Sequence, residues 1–169
     1  MKEEWLIDAY NLLYELSSSK KSLHEFSDVK PASGQRLSIA DLCSVLAGFA
    51  AFKKQKVWAV LDGVGSPQEL TVHRTHFFDA VYSQKVSADH YIEKYIYQNK
   101  AAVAFVVVTN DRTISQIARG GGARVLKNSL FLEMLKEARC AGRAMLDKEE
   151  ARTHGFNRPF DKKLKAKGL

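Results

Sequence analysis

Four aspartates stand at positions from which their carboxylates could converge on one divalent cation. Asp8, Asp62 and Asp111 each come at or just after the end of an apolar run with the composition of a buried strand. Asp89 lies in the first turn of an expected helix that follows another such run. Oxygen ligands without histidine or cysteine select a hard ion, so Mg²⁺ or Mn²⁺ fits this set better than Zn²⁺. Because such an ion can activate water and neutralise charge on a phosphoryl group, the set predicts metal-assisted phosphodiester hydrolysis.

Each aspartate also has a purely structural interpretation. Asp is favoured at strand ends and at helix N-termini, where its carboxylate accepts hydrogen bonds from backbone N–H groups. Asp89 is the easiest to explain in this way, with Ser87 as the N-cap, and Asp8 is the hardest because it directly continues an apolar strand. The metal hypothesis depends on the coincidence of all four, since four carboxylates without a counter-charge repel one another and some would take up protons.

Two further polar residues are candidates for the same site. Asn11, three residues after Asp8, could hydrogen-bond a metal-bound water or orient the Asp8 carboxylate. Glu93 follows Asp89 by four residues on the same helical face and is a candidate outer ligand. The predicted catalytic and metal-binding set is Asp8, Asp62, Asp89 and Asp111, supported by Asn11.

The elements that must position these residues alternate between strand and helix along the chain. Strands are predicted at residues 5–7, 57–61, 77–82, 103–108 and 123–126, and helices at 35–54, 88–98, 112–119 and 129–146. Such alternation predicts an α/β domain with a mostly parallel sheet and helices on both faces. The carboxyl ends of parallel strands share the edge at which these folds bind ligands, so the aspartates should be neighbours. The polar stretch 17–34 is either an ordered excursion or a mobile loop.

The composition indicates one soluble domain. The chain has 169 residues, of which 46% are hydrophobic and 27% charged, and no apolar run approaches the length of a membrane span. The N-terminus lacks the pattern of a secretory signal, so we expect a cytoplasmic protein that does not contact membranes. Cys43 and Cys140 lie far apart without the spacing of a disulfide framework or a zinc site, and both thiols are expected to be buried.

The positive charge is concentrated at the C-terminus. The net charge is +7, and residues 151–169 contain six Lys or Arg against a single Asp. We therefore predict a nuclease domain over residues 1–150 and a basic tail over residues 151–169 that suits phosphate backbones, with Arg158, Lys162 and Lys163 as candidate RNA contacts. The alternative is that the tail is a solubilising, disordered end.

Five short segments, taken in order, carry a resemblance to a known family. They are IDAYN at 7–11, LDG at 61–63, VYS at 81–83, SADHYIE at 87–93 and VTNDR at 108–112. The chain resembles, over most of residues 5 to 135, the YacP-like branch of the NYN domains, which belong to the PIN-like nuclease class. The resemblance implies a five-stranded parallel sheet, an acidic pocket that holds Mg²⁺ or Mn²⁺, and cleavage of RNA, in some members on translating ribosomes. The four aspartates fall on the acidic positions of the family.

The sequence departs from the family pattern in two places. Ala9 stands where the family usually has a glycine that tightens the turn after the first strand, and this change leaves the acids intact. The stretch 68–76 does not align; it is expected to border the pocket, and Arg74 within it could hold a phosphate. His73 and His76 could act as general bases, although a metal-bound hydroxide needs none. Arg112 and Lys127 are further candidate RNA contacts.

Other classes of protein fit less well. A dinucleotide-binding domain needs GxGxxG after the first strand, which is absent, so no nucleotide cofactor is expected. A phosphotransferase with an Asp nucleophile would have a second acid where Tyr10 stands. The serious alternative is a non-catalytic RNA- or ribosome-binding module, and a toxin of a toxin–antitoxin pair would share the nuclease chemistry. The four acids therefore predict a metal-dependent nuclease, and the resemblance implies an endoribonuclease whose candidate partners are mRNA and the ribosome.

Overall fold

The computed structural model describes residues 2–18, 26, 38–65 and 74–166, with side chains as far as Arg152. Five strands and five helices lie in this part of the chain. The strands are β1 (Lys2–Asp8), β2 (Lys56–Leu61), β3 (Phe78–Tyr82), β4 (Val103–Val108) and β5 (Arg124–Leu126). The helices are α1 (Ala9–Ser18), α2 (Ile39–Lys53), α3 (Ala88–Asn99), α4 (Arg112–Gly120) and α5 (Asn128–Ala166).

The five strands form one parallel sheet in the order β3-β2-β1-β4-β5. The predicted α/β class and parallel sheet are therefore confirmed. The direction in which strands are added reverses between β1 and β4, and the crevice outside such a reversal is where open α/β sheets bind ligands. Asp8 ends β1 opposite Val60, and Ile7 pairs with Val108. The side chain of Asp8 therefore lies at the carboxyl edge, beside the reversal.

Helices cover both faces of the sheet because successive strand residues point to opposite sides. Trp5 and Ile7 belong to one core cluster, which α1, α2 and α5 cover. Leu6 belongs to the other cluster, which α3 and α4 cover. Both clusters are almost inaccessible to solvent, with Leu6 and Ile7 each 0% exposed. Among the described residues, no helix is long and apolar enough to cross a membrane.

Several element boundaries differ from the prediction. Helix α1 was not predicted: it begins at Ala9 with no intervening turn, and the side chain of Ala9 is fully buried. Helix α5 continues to Ala166 instead of ending near Leu146, so residues assigned to the tail extend a helix. The predicted helix 35–54 begins at Ile39, and residues 35–37 lie outside the described part. So does most of the stretch 17–34, although residues 17 and 18 belong to α1.

The two cysteines have different environments. Cys43 is buried in α2, and burial raises the pKa of its thiol to about 11. Cys140 is exposed on α5, so the expectation that both thiols are buried is wrong for this residue. Both cysteines are free, as expected.

Candidate functional site

Asp8 is a buried carboxylate at the centre of the carboxyl edge. It is 8% exposed, its Oδ1 accepts a hydrogen bond from the backbone N–H of Asn11 at 3.2 Å, and its Oδ2 accepts one from the Thr109 hydroxyl at 3.3 Å. Burial raises the pKa of Asp8, and the charges of Asp89 and Asp111 raise it further, while the two hydrogen bonds lower it. The net shift is upward, so holding Asp8 ionised at this position costs free energy.

Asp111 is linked to Asp8 through one side chain. The Thr109 hydroxyl, which donates to Asp8, also accepts a hydrogen bond from the backbone N–H of Asp111 at 3.0 Å. The Oδ1 of Asp111 accepts from the backbone N–H groups of Thr113 at 2.6 Å and Ile114 at 3.1 Å, which makes Asp111 the N-cap of α4. Thr109 is 1% exposed and thus fixes the relative positions of two of the predicted ligands.

Asp62 is exposed just beyond the end of β2 and is tied to the start of α3. Its Oδ1 accepts from the backbone N–H of Ala88 at 3.1 Å and from the hydroxyl of Ser83 at 3.3 Å. The Ser83 hydroxyl also accepts from the backbone N–H of Gly63 at 3.1 Å. Gly63 has φ 99°, which only glycine adopts without strain, so the turn after Asp62 depends on this residue.

Three of the four aspartates therefore bind the N-terminal turns of helices. Asp8 holds α1, Asp62 holds α3 and Asp111 holds α4, so the structural interpretation of these residues is correct as far as it goes. It does not compete with the functional one, because these contacts bring three helix N-termini, each with a partial positive charge, to the edge that carries the acids. Such ends favour anions, including phosphate groups.

Asp89 is the acid that connects the others. Its pKa is raised by burial and by the charges of Asp111 and Asp62, and it raises the pKa of Asp8 in turn. Ser87 is the N-cap of α3, as predicted, since its hydroxyl accepts from the backbone N–H of His90 at 3.3 Å. Asp89 is therefore not the N-cap of α3, and its charge interacts with that of each of the other three acids.

The four acids do not form a close cluster of metal ligands. Among the residues that the structure describes, no three His, Cys, Asp or Glu side chains are grouped closely enough to hold one ion directly. Mg²⁺ in proteins usually keeps several waters and binds only one or two carboxylates, so a close group of three is not required. The donors are all oxygens, and burial together with the charges of neighbouring aspartates raises the pKa values of Asp8 and Asp89. Both features suit a hard cation. The residues present therefore fit such an ion.

Asn11 has a positioning role that the sequence did not reveal. Its side-chain Oδ1 accepts from the backbone N–H of Asn110 at 3.0 Å and from Asn128 Nδ2 at 2.7 Å. Asn110 Oδ1 in turn accepts from the backbone N–H of Asn128, which is 0% exposed, at 3.1 Å. This asparagine network joins α1, the β4–α4 connection and the start of α5. Asn11 reaches Asp8 through its backbone N–H, and a contact to a metal-bound water through its Nδ2 stays a prediction.

The asparagine network could have been anticipated only in part. Asn110 lies inside the VTNDR segment, and Asn128 directly follows the strand 124–126, so both positions belong to the carboxyl edge. The hydrogen-bond partners of each asparagine side chain depend on how α5 packs against the sheet, and this packing cannot be predicted from a single sequence.

The remaining candidate residues are exposed wherever the structure describes their side chains. Glu93 is exposed, with its Oε2 3.9 Å from Nδ1 of His90. Arg112 begins α4 directly after Asp111, and Lys127 follows β5, so both are exposed at the carboxyl edge as expected. The side chains of Arg158, Lys162 and Lys163 lie outside the described ones.

Arg74 does not border the acids, and that expectation is wrong. Its Nε and one terminal nitrogen lie 2.9 and 2.8 Å from Oδ2 of Asp79, near the amino-terminal end of β3. His76 lies at the same amino-terminal edge, in T-shaped contact with Phe77. His73 lies outside the described residues. Arg74 and His76 directly precede β3, so they lie at the end of the sheet opposite the aspartates.

Replacing Thr109 with valine should lower the free energy of unfolding by about 1–3 kcal/mol, because the isosteric change removes the acceptor of the Asp111 N–H and the donor to Asp8 Oδ2. The pKa of Asp8 should rise further, since the hydroxyl lowers it. Urea denaturation measures the stability change. Thr113→Val is the matched control, because Thr113 is exposed and only its backbone takes part in the α4 cap. Equal stability of the two variants would contradict the linking role of Thr109.

Comparison with known proteins gives a family and a set of similar folds. The model of the YacP-like NYN domain matches residues 5–168. A crystal structure of Rae1 (YacP) from Bacillus subtilis superposes with a TM-score of 0.66 at 18% sequence identity, covering 95% of this chain and 88% of that one. A point variant of the same protein gives a TM-score of 0.65 at 21% identity, covering 89% and 85%. No curated protein matches the chain.

Proposed function

This chain belongs to the YacP-like NYN domain family, and we propose that it is a metal-dependent endoribonuclease that hydrolyses RNA phosphodiester bonds. The family is one of PIN-like, nuclease-type domains. We place the protein in the cytoplasm, and we propose mRNA as the substrate and the ribosome as a partner during cleavage. The proposals for the metal and the RNA substrate come from the resemblance together with the acidic edge, by which we mean the carboxyl edge of the sheet that carries Asp8, Asp62, Asp89 and Asp111.

The observation that carries the proposal is the mutual repulsion of the acids at the reversal of the sheet. Burial raises the pKa values of Asp8 and Asp89, and in each case the charges of neighbouring aspartates raise the pKa further. Helix capping accounts for Asp8, Asp62 and Asp111, but Asp89 is not an N-cap and is repelled by all three. Its place among them needs another reason. A divalent cation supplies it, because the ion removes the repulsion and leaves the carboxylates ionised.

Within this proposal, Asp8, Asp62, Asp89 and Asp111 would surround the ion, with one or two of them bound to it directly and the others reached through its waters. A bound Mg²⁺ or Mn²⁺ supplies activation of water and neutralisation of the phosphoryl oxygens. Asn11 N–H and the Thr109 hydroxyl orient Asp8. The N-terminal turns of α1, α3 and α4 attract the scissile phosphate to the edge, where the acids alone would repel it. Arg112 and Lys127 hold phosphates on either side.

A non-catalytic RNA- or ribosome-binding module is the second candidate. Two observations favour it: three of the four aspartates are used to hold helix N-termini, and no close group of three metal-binding side chains exists among the described residues. In such a protein the acids would serve the fold alone. RNA would then be bound by Arg112, Lys127 and the basic residues of 151–169.

Removal of the metal distinguishes the two candidates. We expect purified protein to cut RNA with Mn²⁺ and to lose all detectable cutting in EDTA. The reason is that, in this proposal, only the metal ion activates the water that attacks the phosphodiester bond. Free RNA and ribosomes that carry an mRNA are incubated in parallel, and the ends produced are mapped. Asp8→Asn controls for contaminating nucleases, since they would cut equally in both preparations. If neither protein cuts but both bind RNA or ribosomes equally, the binding module replaces the nuclease.

A further inference from the structure

A second cleft lies at the amino-terminal edge of the sheet, away from the aspartates. Its volume is about 530 Å³, within the range of pockets that take small molecules. The residues that give it chemical character are three lysines and three aromatic side chains: Lys2, Lys54, Lys56, Trp58, His76 and Phe77. Neither the acidic edge nor the proposed cleavage uses any of them.

The carboxylates around this amino-edge cleft are already engaged. Glu4 Oε2 accepts from Trp58 Nε1 at 2.9 Å and from the Tyr95 hydroxyl at 3.1 Å. Glu3 Oε2 lies 3.2 Å from the Arg124 guanidinium, which forms an ion pair with it. Glu3 is neutralised by Arg124, whereas Glu4 has uncharged donors and keeps its negative charge, so it offsets only one of the three lysines of the cleft.

Three lysines line the cleft, against one acid, Glu4, that has no ion pair among the described residues. Lys2 and Lys54 are exposed and form no ion pair within the described part of the chain. Lys56 Nζ lies 4.6 Å from the centroid of the Trp58 ring and 4.0 Å from an Asp79 oxygen that Arg74 approaches more closely. The cleft therefore attracts anions, and two ammonium groups are available to bind one.

Aromatic rings form the other part of the lining. His76 is exposed and meets Phe77 edge to face, with ring centroids 4.7 Å apart. Trp58 is half-buried and presents its ring beside Lys56. Rings next to free cations are the features that bind the bases and phosphates of nucleotides, because every base has a face that stacks and every phosphate is anionic.

Lys54 has a backbone conformation that its residue type does not explain. It ends α2 with φ 54°, in the left-handed region where glycine is the usual residue. A lysine here is less stable than a glycine would be, and its side chain lines the cleft. Unfavourable backbone at a ligand-facing residue is typical of functional positions.

We propose that the amino-edge cleft is a second binding site, and that it takes a nucleotide. The base lies against His76 and Phe77, and the phosphate is bound by Lys2 and Lys54. A free nucleotide and one unit of an RNA chain present the same chemistry to this cleft. The site is independent of the proposed cleavage, since its residues and the acids lie at opposite ends of the strands.

Tryptophan fluorescence tests the proposal directly. Trp58 lines the cleft beside the lysines, whereas Trp5 is 2% exposed in the core, so a nucleotide bound in the cleft should quench Trp58 and leave Trp5 unchanged. The protein is titrated in EDTA with 5′-AMP and, separately, with a six-residue oligoadenylate. Lys54→Gly and Lys54→Gln should weaken binding at least about 5-fold, the loss expected from removing one charge-assisted contact. Lys54→Gly should also melt at a higher temperature, so unfolding cannot account for its weaker binding.

Two further variants locate the ligand. Lys94→Gln removes an exposed charge from α3, outside the cleft, and Asp8→Asn changes the acidic edge. Both should bind as wild type does. Binding of 5′-AMP assigns the site to free nucleotides, and binding of the oligonucleotide alone assigns it to RNA. The proposal is overturned by the absence of saturable quenching with both ligands, by wild-type affinity in Lys54→Gly, or by loss of binding in Asp8→Asn.

Discussion

Asp8→Asn is expected to lower the rate of RNA cleavage by at least about 100-fold, the scale on which removal of a charged group from a preorganised site acts. Asparagine keeps the shape of the side chain and can still accept the hydrogen bond from Asn11 N–H, so the start of α1 should be preserved. What disappears is the negative charge that binds the ion. Single-turnover cleavage with saturating Mn²⁺ measures the effect, and wild-type rates in the variant would remove Asp8 from the metal site.

The same substitution should make the protein more stable at neutral pH. The pKa of Asp8 is raised above its ordinary value of 3.8 in the folded state, so between the two values the folded chain binds the proton more tightly than the unfolded chain. Stability contributed by this group is therefore present at low pH and is lost as the pH rises through that window. Asparagine does not titrate, and the variant avoids the loss.

This difference in stability between wild type and Asp8→Asn is measured by thermal unfolding of both proteins without metal, at pH values between 4 and 7.5. The melting temperature of Asp8→Asn should exceed that of wild type by an amount that grows as the pH rises through the titration of Asp8 and then stays constant. Each 1 kcal/mol of gain would correspond to roughly 2–4 °C in a chain of this length. Added Mn²⁺ should raise the melting temperature of wild type more than that of the variant. A variant that melts below wild type at pH 7.5 would mean that Asp8 stabilises the fold as a charged group.

The parts of the fold that could be predicted are those in which burial governs the residue types. Strand β4 was predicted with its observed bounds, Val103–Val108, because a central strand covered on both faces is a continuous apolar run. Helix α1 was missed for a physical reason. Asp8, the last residue of β1, accepts from the N–H of Asn11, so the strand passes into the helix without the turn residues that mark such a boundary.

The position of the acidic edge could be predicted because it depends only on the topology of the sheet. Parallel strands place their carboxyl ends together, and the aspartates follow from their places in the chain. The same reasoning places Arg74 at the opposite edge, because it directly precedes the strand 77–82 and therefore lies where that strand begins. The prediction that the stretch 68–76 borders the pocket is wrong for Arg74 for this reason. Hydrogen bonds such as that from Thr109 to Asp8 depend on side-chain geometry between β1 and β4, which no sequence pattern encodes.

Phe131→Ala is expected to reduce the free energy of unfolding by about 3–5 kcal/mol, the cost of removing a buried aromatic side chain and leaving a cavity. Phe131 is 0% exposed, and its ring centroid lies 5.2 Å from that of Phe49 and 5.9 Å from that of Trp5. The three rings join α5, α2 and β1. Single domains are stable by only about 5–15 kcal/mol, so this loss is a large share of the total. Urea denaturation is therefore best measured at about 15 °C, close to the temperature at which domains are usually most stable.

Two control variants separate the energetic role of this ring from the chemistry at the acidic edge. Phe131→Leu keeps most of the volume and should lose less stability than Phe131→Ala. Leu130→Ala changes the neighbouring residue, which is 49% exposed, and should change stability little. Phe131 lies three residues after Asn128 in α5, yet it packs into the core and not onto the acids. The cleavage rate per folded molecule should therefore match that of wild type. A lower rate in fully folded Phe131→Ala would show that the core position of α5 controls the edge through the asparagine network, and not through stability alone.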